Sequence, residues 1–272
     1  MARTSEEILL NVENLEVVYH NIATAIQGVS LQVYRNQIVT LLGTNGAGKT
    51  TTLKAISGFL GMDDAKVSEG LIEFRGEKIH NSPPHEITRK GIALVPDWGK
   101  VFENLTVEEN LEVCVPSAGS RQKRQELSHL IFDYFPPLRE AKSRFAGYLS
   151  GGERQMLSIS TALLCRPQLL LVDELSLGLA PLVVIELMSL LKIIRDQQGV
   201  TILLVEQNAL AAFEITDYGY VIENGRIVFA GNVDRLMNHQ DIQEFYLGKG
   251  NLESQKSYRN VKQYKRTRRW YG

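Results

Sequence analysis

The sequence predicts an α/β fold: a sheet of short buried strands alternating with helices, interrupted by a largely helical insertion. Two observations carry this expectation. Dense apolar runs recur at Gln37 to Leu42, Ile92 to Val95, Leu169 to Val172 and Thr201 to Val205. Such runs suit strands buried on both faces of a parallel sheet. Between them, from Asn104 to about Leu164, the pattern becomes mostly helical, which places a helical layer inside an alternating strand and helix order. With 272 residues, 44% hydrophobic and 22% charged, the chain has ordinary globular composition and enough length for a real core.

The elements follow in order. Leu9 to Val18 alternates loosely and reads as a first strand; Val29 to Val33, with period two, is a second. The run Gln37 to Leu42 ends at Gly43, and a helix is expected from Gly48 or Lys49 to about Phe59. Leu71 to Phe74 and Lys78 to Ile79 flank Arg75-Gly76-Glu77, a hairpin signal. Ile92 to Val95 is closed by Pro96. Thr106-Val107-Glu108-Glu109 has capping-box spacing, and Pro136-Pro137 breaks the helical region in two. A helix from about Leu182 to Gln197 stops at Gly199. Asn224-Gly225 marks a tight turn between Tyr218 to Ile222 and Arg226 to Phe229. A final helix is expected near Val233 to Tyr246, and no internal repeat is visible.

Several classes are argued against. No apolar run approaches the ~20 residues of a membrane helix, and Met1 to Glu7 lacks an apolar signal core. Cys114 and Cys165 form no disulfide framework or metal spacing, and the five histidines match no ligand pattern. The expectation is a reduced cytoplasmic protein. Its net charge of −1 hides an asymmetry. Lys256, Arg259, Lys262, Lys265, Arg266, Arg268 and Arg269 face a single acid, Glu253, so the end is basic and the rest acidic. Tyr258, Tyr264, Trp270 and Tyr271 are interleaved with them, which suits a frayed terminus, an anionic membrane surface or nucleic acid.

Three motifs carry chemistry. Gly43-Thr44-Asn45-Gly46-Ala47-Gly48-Lys49-Thr50 fits the phosphate-binding loop, with a strand before it and a helix after it. Its glycines let backbone N–H groups converge on phosphate oxygens, and the helix start adds partial positive charge. Lys49 would reach the β- and γ-phosphates and Thr50 would offer a hydroxyl to Mg²⁺. Thr51 is the next residue in line. Leu169 to Val172 then delivers Asp173 and Glu174 at a strand's C-terminal end, the ligand-binding edge of such sheets. Asp173 suits Mg²⁺ and Glu174 suits a general base on water. Lastly, Ser150-Gly151-Gly152-Glu153 combines a capping box with two glycines, leaving a helix N-terminus open to a second molecule's γ-phosphate.

With Leu149, that last segment resembles the signature motif of ABC-type ATPases, and the resemblance extends from about Leu9 to Gly248. It implies a P-loop NTPase cassette over 9–248 with a RecA-like core, an antiparallel β subdomain and a helical subdomain at about 104–164; 249–272 is a basic tail. It implies ATP and Mg²⁺ as cofactors, with Tyr19 stacking on adenine and Ser176 to Ala180 touching an opposite subunit. Two positions depart from the family: Gln207 stands where the switch His is usual, and Asp97 where a Gln is usual, leaving Asp97 as a third metal candidate. Glu206-Gln207-Asn208, Ser176 to Pro181 and Thr106 to Leu111 resemble the F-type ATP-binding subunit of bacterial leucine/isoleucine/valine importers. Leu175 and Trp98 depart from that subfamily.

The resemblance implies an ATPase that dimerises on ATP to drive uptake of branched-chain amino acids. Its partners would be a second cassette, identical or a sister, two transmembrane permeases and a periplasmic binding protein, with the chain peripheral on the membrane's inner face. Asn104 to Leu149 and Asp97 to Phe102 would touch the permease. The alternatives are a cassette for urea, amides or aromatic acids, or a non-transport ABC ATPase with the tail on nucleic acid. One phosphate loop and no heptad run argue against the last, and no nucleic-acid partner is expected.

Overall fold

A computed structural model describes residues 7–114 and 129–245, so the basic tail lies outside the described residues. Among the described residues, ten strands form two sheets. β1 (Ile8–Tyr19), β2 (Ala23–Tyr34), β4 (Ala65–Phe74) and β5 (Glu77–Lys78) make an antiparallel sheet of order β2-β1-β4-β5. β3 (Ile38–Leu42), β6 (Ile92–Val95), β7 (Leu169–Asp173), β8 (Thr201–Glu206), β9 (Tyr218–Glu223) and β10 (Arg226–Asn232) make the second, of order β10-β9-β3-β8-β7-β6. It is parallel except for β10, which pairs antiparallel with β9 at the edge.

The parallel sheet is the middle layer, and its strands divide two cores by their period of two. Val39, Leu41, Leu169, Leu171, Leu203 and Val205 point toward the antiparallel sheet and α1 (Lys49–Ser57). Ile38, Leu42, Leu170, Val172, Ile202 and Leu204 point the other way. There they meet α5 (Gly151–Leu164) and α6 (Pro181–Gln198), with α3 (Val107–Cys114) and α4 (Pro136–Glu140) beyond. Every residue of β3, β7 and β8 is buried, which is why these strands read as unbroken apolar runs. α2 (Pro84–Lys90) precedes β6, and α7 (Ala209–Phe213) follows β8.

Three expectations change at their edges. β2 and β4 begin six residues earlier than their apolar cores, because β1 pairs with both along its length, from Tyr19 opposite Ala23 and Ala65. The proline pair does not only interrupt: Pro136 and Pro137 open α4, where a missing N–H costs nothing. The last helix is two, α8 (Val233–Met237) and α9 (Gln240–Phe245), parted where the Asn238 side-chain amide donates to the Asp234 carbonyl at 2.8 Å. Among the described residues no helix is long and apolar enough to cross a membrane.

Candidate active site

β3 delivers the chain to Gly43, where a Cβ would lie 2.7 Å from the Ile222 carbonyl oxygen, so the position accepts only glycine. The loop then winds through Gly46 (φ 78°) and Gly48 (φ 107°) into α1. That helix starts with no side-chain cap and no acid in its first turn. Its free N–H groups and partial positive charge are therefore left for an anion. They open onto a cavity of about 650 Å³. Asn45, Gly46, Gly48, Lys49, Thr50 and Thr51 line it, together with Glu174, Asn224 and the β2 residues Thr24, Ala25 and Gln27. The Thr44 and Ala47 side of the loop is closed by the Ala47 N–H, which donates to the Thr44 carbonyl at 3.1 Å.

Register in the parallel sheet brings β7 beside this loop. The Thr50 hydroxyl donates to Asp173 Oδ1 at 3.2 Å, across 123 residues of sequence. Lys49, 3% exposed, places its Nζ 2.8 Å from Glu174 Oε1 and 3.2 Å from the Thr44 carbonyl. Asp173 is pushed up to about 6. Burial is the main cause; the Thr50 hydroxyl opposes it, the Asp97 and Glu174 charges add to it, and Lys49 opposes it. Thr50 and Asp173 also border a second cavity, about 560 Å³, which Asp97 shares. The Thr50 hydroxyl and Asp173, with Asp97 on the wall of the same second cavity, offer the oxygen donors a hard cation takes. Among the described residues no three His, Cys, Asp or Glu side chains could hold a metal ion by themselves, so a cation here needs further ligands from phosphate and water.

Glu174 sits at φ 42°, a strained backbone for a non-glycine residue, with its N–H donated to the Val205 carbonyl at 2.9 Å. The neighbouring β8 ends in Glu206, fully buried. Burial pushes its carboxyl up, against hydrogen bonds from Ser176 and from the Asn208 backbone.

The remaining sequence candidates do not line the cavity walls. Tyr19 ends β1 half-buried, with its hydroxyl 3.3 Å from Thr51 Oγ1 at the cavity's rim. Gln207 is exposed just past β8 and is not among the cavity walls. Ser150 caps α5: the Glu153 N–H donates to Ser150 Oγ at 3.3 Å and the Ser150 N–H to Glu153 Oε2 at 2.8 Å. Burial raises the Glu153 carboxyl, but Ser150 and Arg144 outweigh it and hold the group low. Ser150 and Gly151 are exposed, away from the chain's own cavity. The two glycines have a second use as well. A Cβ on Gly151 would lie 3.1 Å from Leu179, and one on Gly152 2.8 Å from Val183, so α5 packs tightly on the loop and helix that follow Glu174.

Sequence reasoning missed the β9–β10 turn as part of the site. The Gly225 N–H donates to the Ala47 carbonyl at 2.9 Å, and its carbonyl accepts from the Gln27 N–H at 2.8 Å. Asn224 lines the cavity beside it. The Asn-Gly pair signals a turn, and nothing local says that the turn buttresses the phosphate loop.

Comparison with known proteins agrees with this arrangement. The ABC transporter family model matches residues 26–176. The branched-chain amino acid transport ATP-binding protein BraG of Pseudomonas aeruginosa is 39% identical over 240 residues, 88% of this chain and all of that protein. The lipopolysaccharide export ATP-binding protein LptB of Haemophilus influenzae is 31% identical over 243 residues, 88% of this chain and 97% of its own. A crystal structure of an ABC transporter's ATP-binding cassette, in its ADP conformation, superposes with a TM-score of 0.72 at 27% identity, covering 89% of this chain and 99% of that one. A bare helix start beside a lysine, a hydroxyl and two acids, in a chain matched over its length by such cassettes, has one family: this protein belongs to the ABC transporter ATP-binding subunits and is an ATPase of that type.

Proposed function

We propose that the chain is the ATP-hydrolysing subunit of an importer for branched-chain amino acids. It would act as one cassette over 9–248, with its helical part at about 104–164, at the inner face of the membrane. A second cassette, two permeases and a periplasmic binding protein would complete the machine. Lys49, Thr50 and Glu174 meet at one cavity, with Asp173 bonded to the Thr50 hydroxyl beside it, and this is the observation that carries the catalytic reading. BraG, whose whole length this chain matches, carries the cargo reading. LptB favours an exporter, at eight points lower identity.

Each residue then has a task. The N–H groups of Gly46 to Thr51 and the Lys49 ammonium bind the phosphates; Tyr19 borders the adenine. Thr50 and Asp173, with Asp97 nearby, would hold Mg²⁺, which when bound neutralises charge on the β- and γ-phosphate oxygens. Glu174 orients a water on the γ-phosphorus and accepts its proton at a carboxylate oxygen, while the β–γ bond breaks and ADP leaves. Phosphate competes with Glu174 for Lys49, so nucleotide binding frees the carboxylate for the water. Gln207 donates an amide hydrogen to the γ-phosphate, and Ser150 to Glu153 close over the opposite subunit's nucleotide.

Glu174→Gln tests both levels. The purified variant should bind ATP at least as well as wild type and hydrolyse it about 10²- to 10⁴-fold more slowly. In cells carrying only this variant, uptake of labelled leucine, isoleucine and valine should stop. Turnover at the wild-type rate overturns the role of Glu174. Unchanged uptake beside a dead ATPase overturns the cargo.

A further inference from the structure

Glu206 is a carboxylate with no exposed surface, and it lies outside the cavity walls. Among the described residues no cation is paired with it. A buried carboxylate is tolerated only when its oxygens are satisfied. Here both are used by one residue: Oε1 accepts from the Ser176 N–H at 2.9 Å and Oε2 from the Ser176 hydroxyl at 2.6 Å. The Asn208 backbone donates to the same carboxylate. The Glu206 carbonyl meanwhile accepts from the Gly43 N–H at 3.3 Å.

The partners lie on two different segments. Ser176 is two residues past Glu174, in the loop that runs through Leu179, whose side chain lies against Gly151 of α5. Asn208 is the residue after Gln207 and caps α7 through its own side chain. A planar group with two polar atoms, such as a carboxylate or an amide, serves the N–H and the hydroxyl of Ser176 together. An aliphatic residue would leave the Ser176 N–H buried without a partner. Next to this clamp, the strained Glu174 backbone is also held from β8, through Val205.

We propose that Glu206 is a positioning residue that makes the loop at 175–180 and the Gln207–Asn208 segment move as one unit. A second cassette pressing on the loop would then set the place of Gln207 through this carboxylate. The inference rests on the proposed roles of that loop and of Gln207 in hydrolysis.

The test is a double-mutant cycle on MgATP hydrolysis by the full-length chain, with fluorescent-nucleotide titration and thermal melting alongside. Ser176→Ala and Gln207→Ala should each lower kcat about tenfold, with nucleotide affinity within twofold of wild type. Their double variant should lose little more than either single one. Glu206→Gln, which can still accept from the Ser176 N–H and donate to its hydroxyl, should keep more than half of kcat and the same coupling. Glu206→Ala should lower kcat and make the two effects independent. If Glu206→Ala does not fold, the Ser176 and Gln207 cycle in wild-type and Glu206→Gln backgrounds decides. Effects that multiply independently in wild type overturn the coupling. A Gln207→Ala variant with wild-type kcat overturns it too. The catalytic reading fails separately, by wild-type turnover of Glu174→Gln.

Discussion

Two helices of this molecule start at glycines, and they start in opposite ways. α1 begins after Gly48 with no capping side chain and no acid in its first turn. α5 begins at Ser150 with both hydrogen bonds of a capping box and Glu153 in its first turn, paired to Arg144. Capping by a carboxylate answers a helix dipole from within. α1 leaves its dipole unanswered and faces a cavity of its own chain, whereas α5 answers its own and faces outward, exposed at Ser150 and Gly151. A helix start built to bind tightly in cis should be bare. One that meets its ligand only when a second molecule arrives needs to be stable alone. The contrast fits a cassette in which α1 binds nucleotide within its own chain and α5 lends itself to a partner.

Breaking the bare end should have the larger effect on nucleotide. Lys49→Ala removes a buried ammonium beside the α1 start and leaves Glu174 without its ion-pair partner. Charge-assisted hydrogen bonds are worth about 1.5–3 kcal/mol each. With two phosphates served, ATP affinity should fall by about a hundredfold or more, and hydrolysis should be lost. Titration with a fluorescent nucleotide reads this directly. Unchanged affinity would mean that the loop and helix amides suffice and that the lysine belongs to Glu174.

The bare end is also held from behind, and that support can be removed without touching a phosphate-facing side chain. Gly225 has φ 74°, and a Cβ there would lie 2.4 Å from the Ala25 carbonyl oxygen. Gly225→Ala must push the β9–β10 turn away from β2 and off the Ala47 carbonyl. Overpacking of this kind costs about 1–3 kcal/mol. For a chain of this size the melting midpoint should fall by roughly 2–10 °C. ATP affinity should fall severalfold, because Ala47 and the loop lose their anchor. A variant with normal melting and normal affinity would show that the turn yields and carries no share of the site.

What was legible in the sequence follows the same division between local and distant. β3, β7 and β8 are buried on both faces, and β6 at all but Leu94, so their composition alone announces them. The capping box at Ser150 is a four-residue pattern and forms as written. The first halves of β2 and β4 were not legible, since Ala23, Thr24, Ser68 and Glu69 are exposed and only pairing with β1 makes them strand. Nor was the Gly225 contact with Ala47, or the Glu206 clamp on Ser176, because each joins segments that only the sheet order brings together. Gln207 shows the converse. Its position in the chain implies a role at the phosphate, while its exposed side chain stands outside the cavity.

The capped end offers the smallest change in stability and the sharpest separation of roles. Ser150→Ala removes one oxygen from the α5 start, leaving the Glu153 N–H without its acceptor. Loss of such a cap typically costs about 1 kcal/mol, and here the bond is long at 3.3 Å, so melting should drop by only a few degrees. That same length means the hydroxyl can turn outward at little cost, toward a phosphate presented by another chain. ATP binding to the single chain should therefore be unchanged, since Ser150 lies outside the cavity at the α1 start. Association is where the loss should appear. In a Glu174→Gln background, size-exclusion chromatography with ATP and Mg²⁺ should show a dimer, and adding Ser150→Ala should return most of it to monomer. A weakened single-chain affinity would move Ser150 into the cis site and erase the difference between the two helix starts. A dimer of undiminished strength would leave the capping box of α5 a stabilising feature alone.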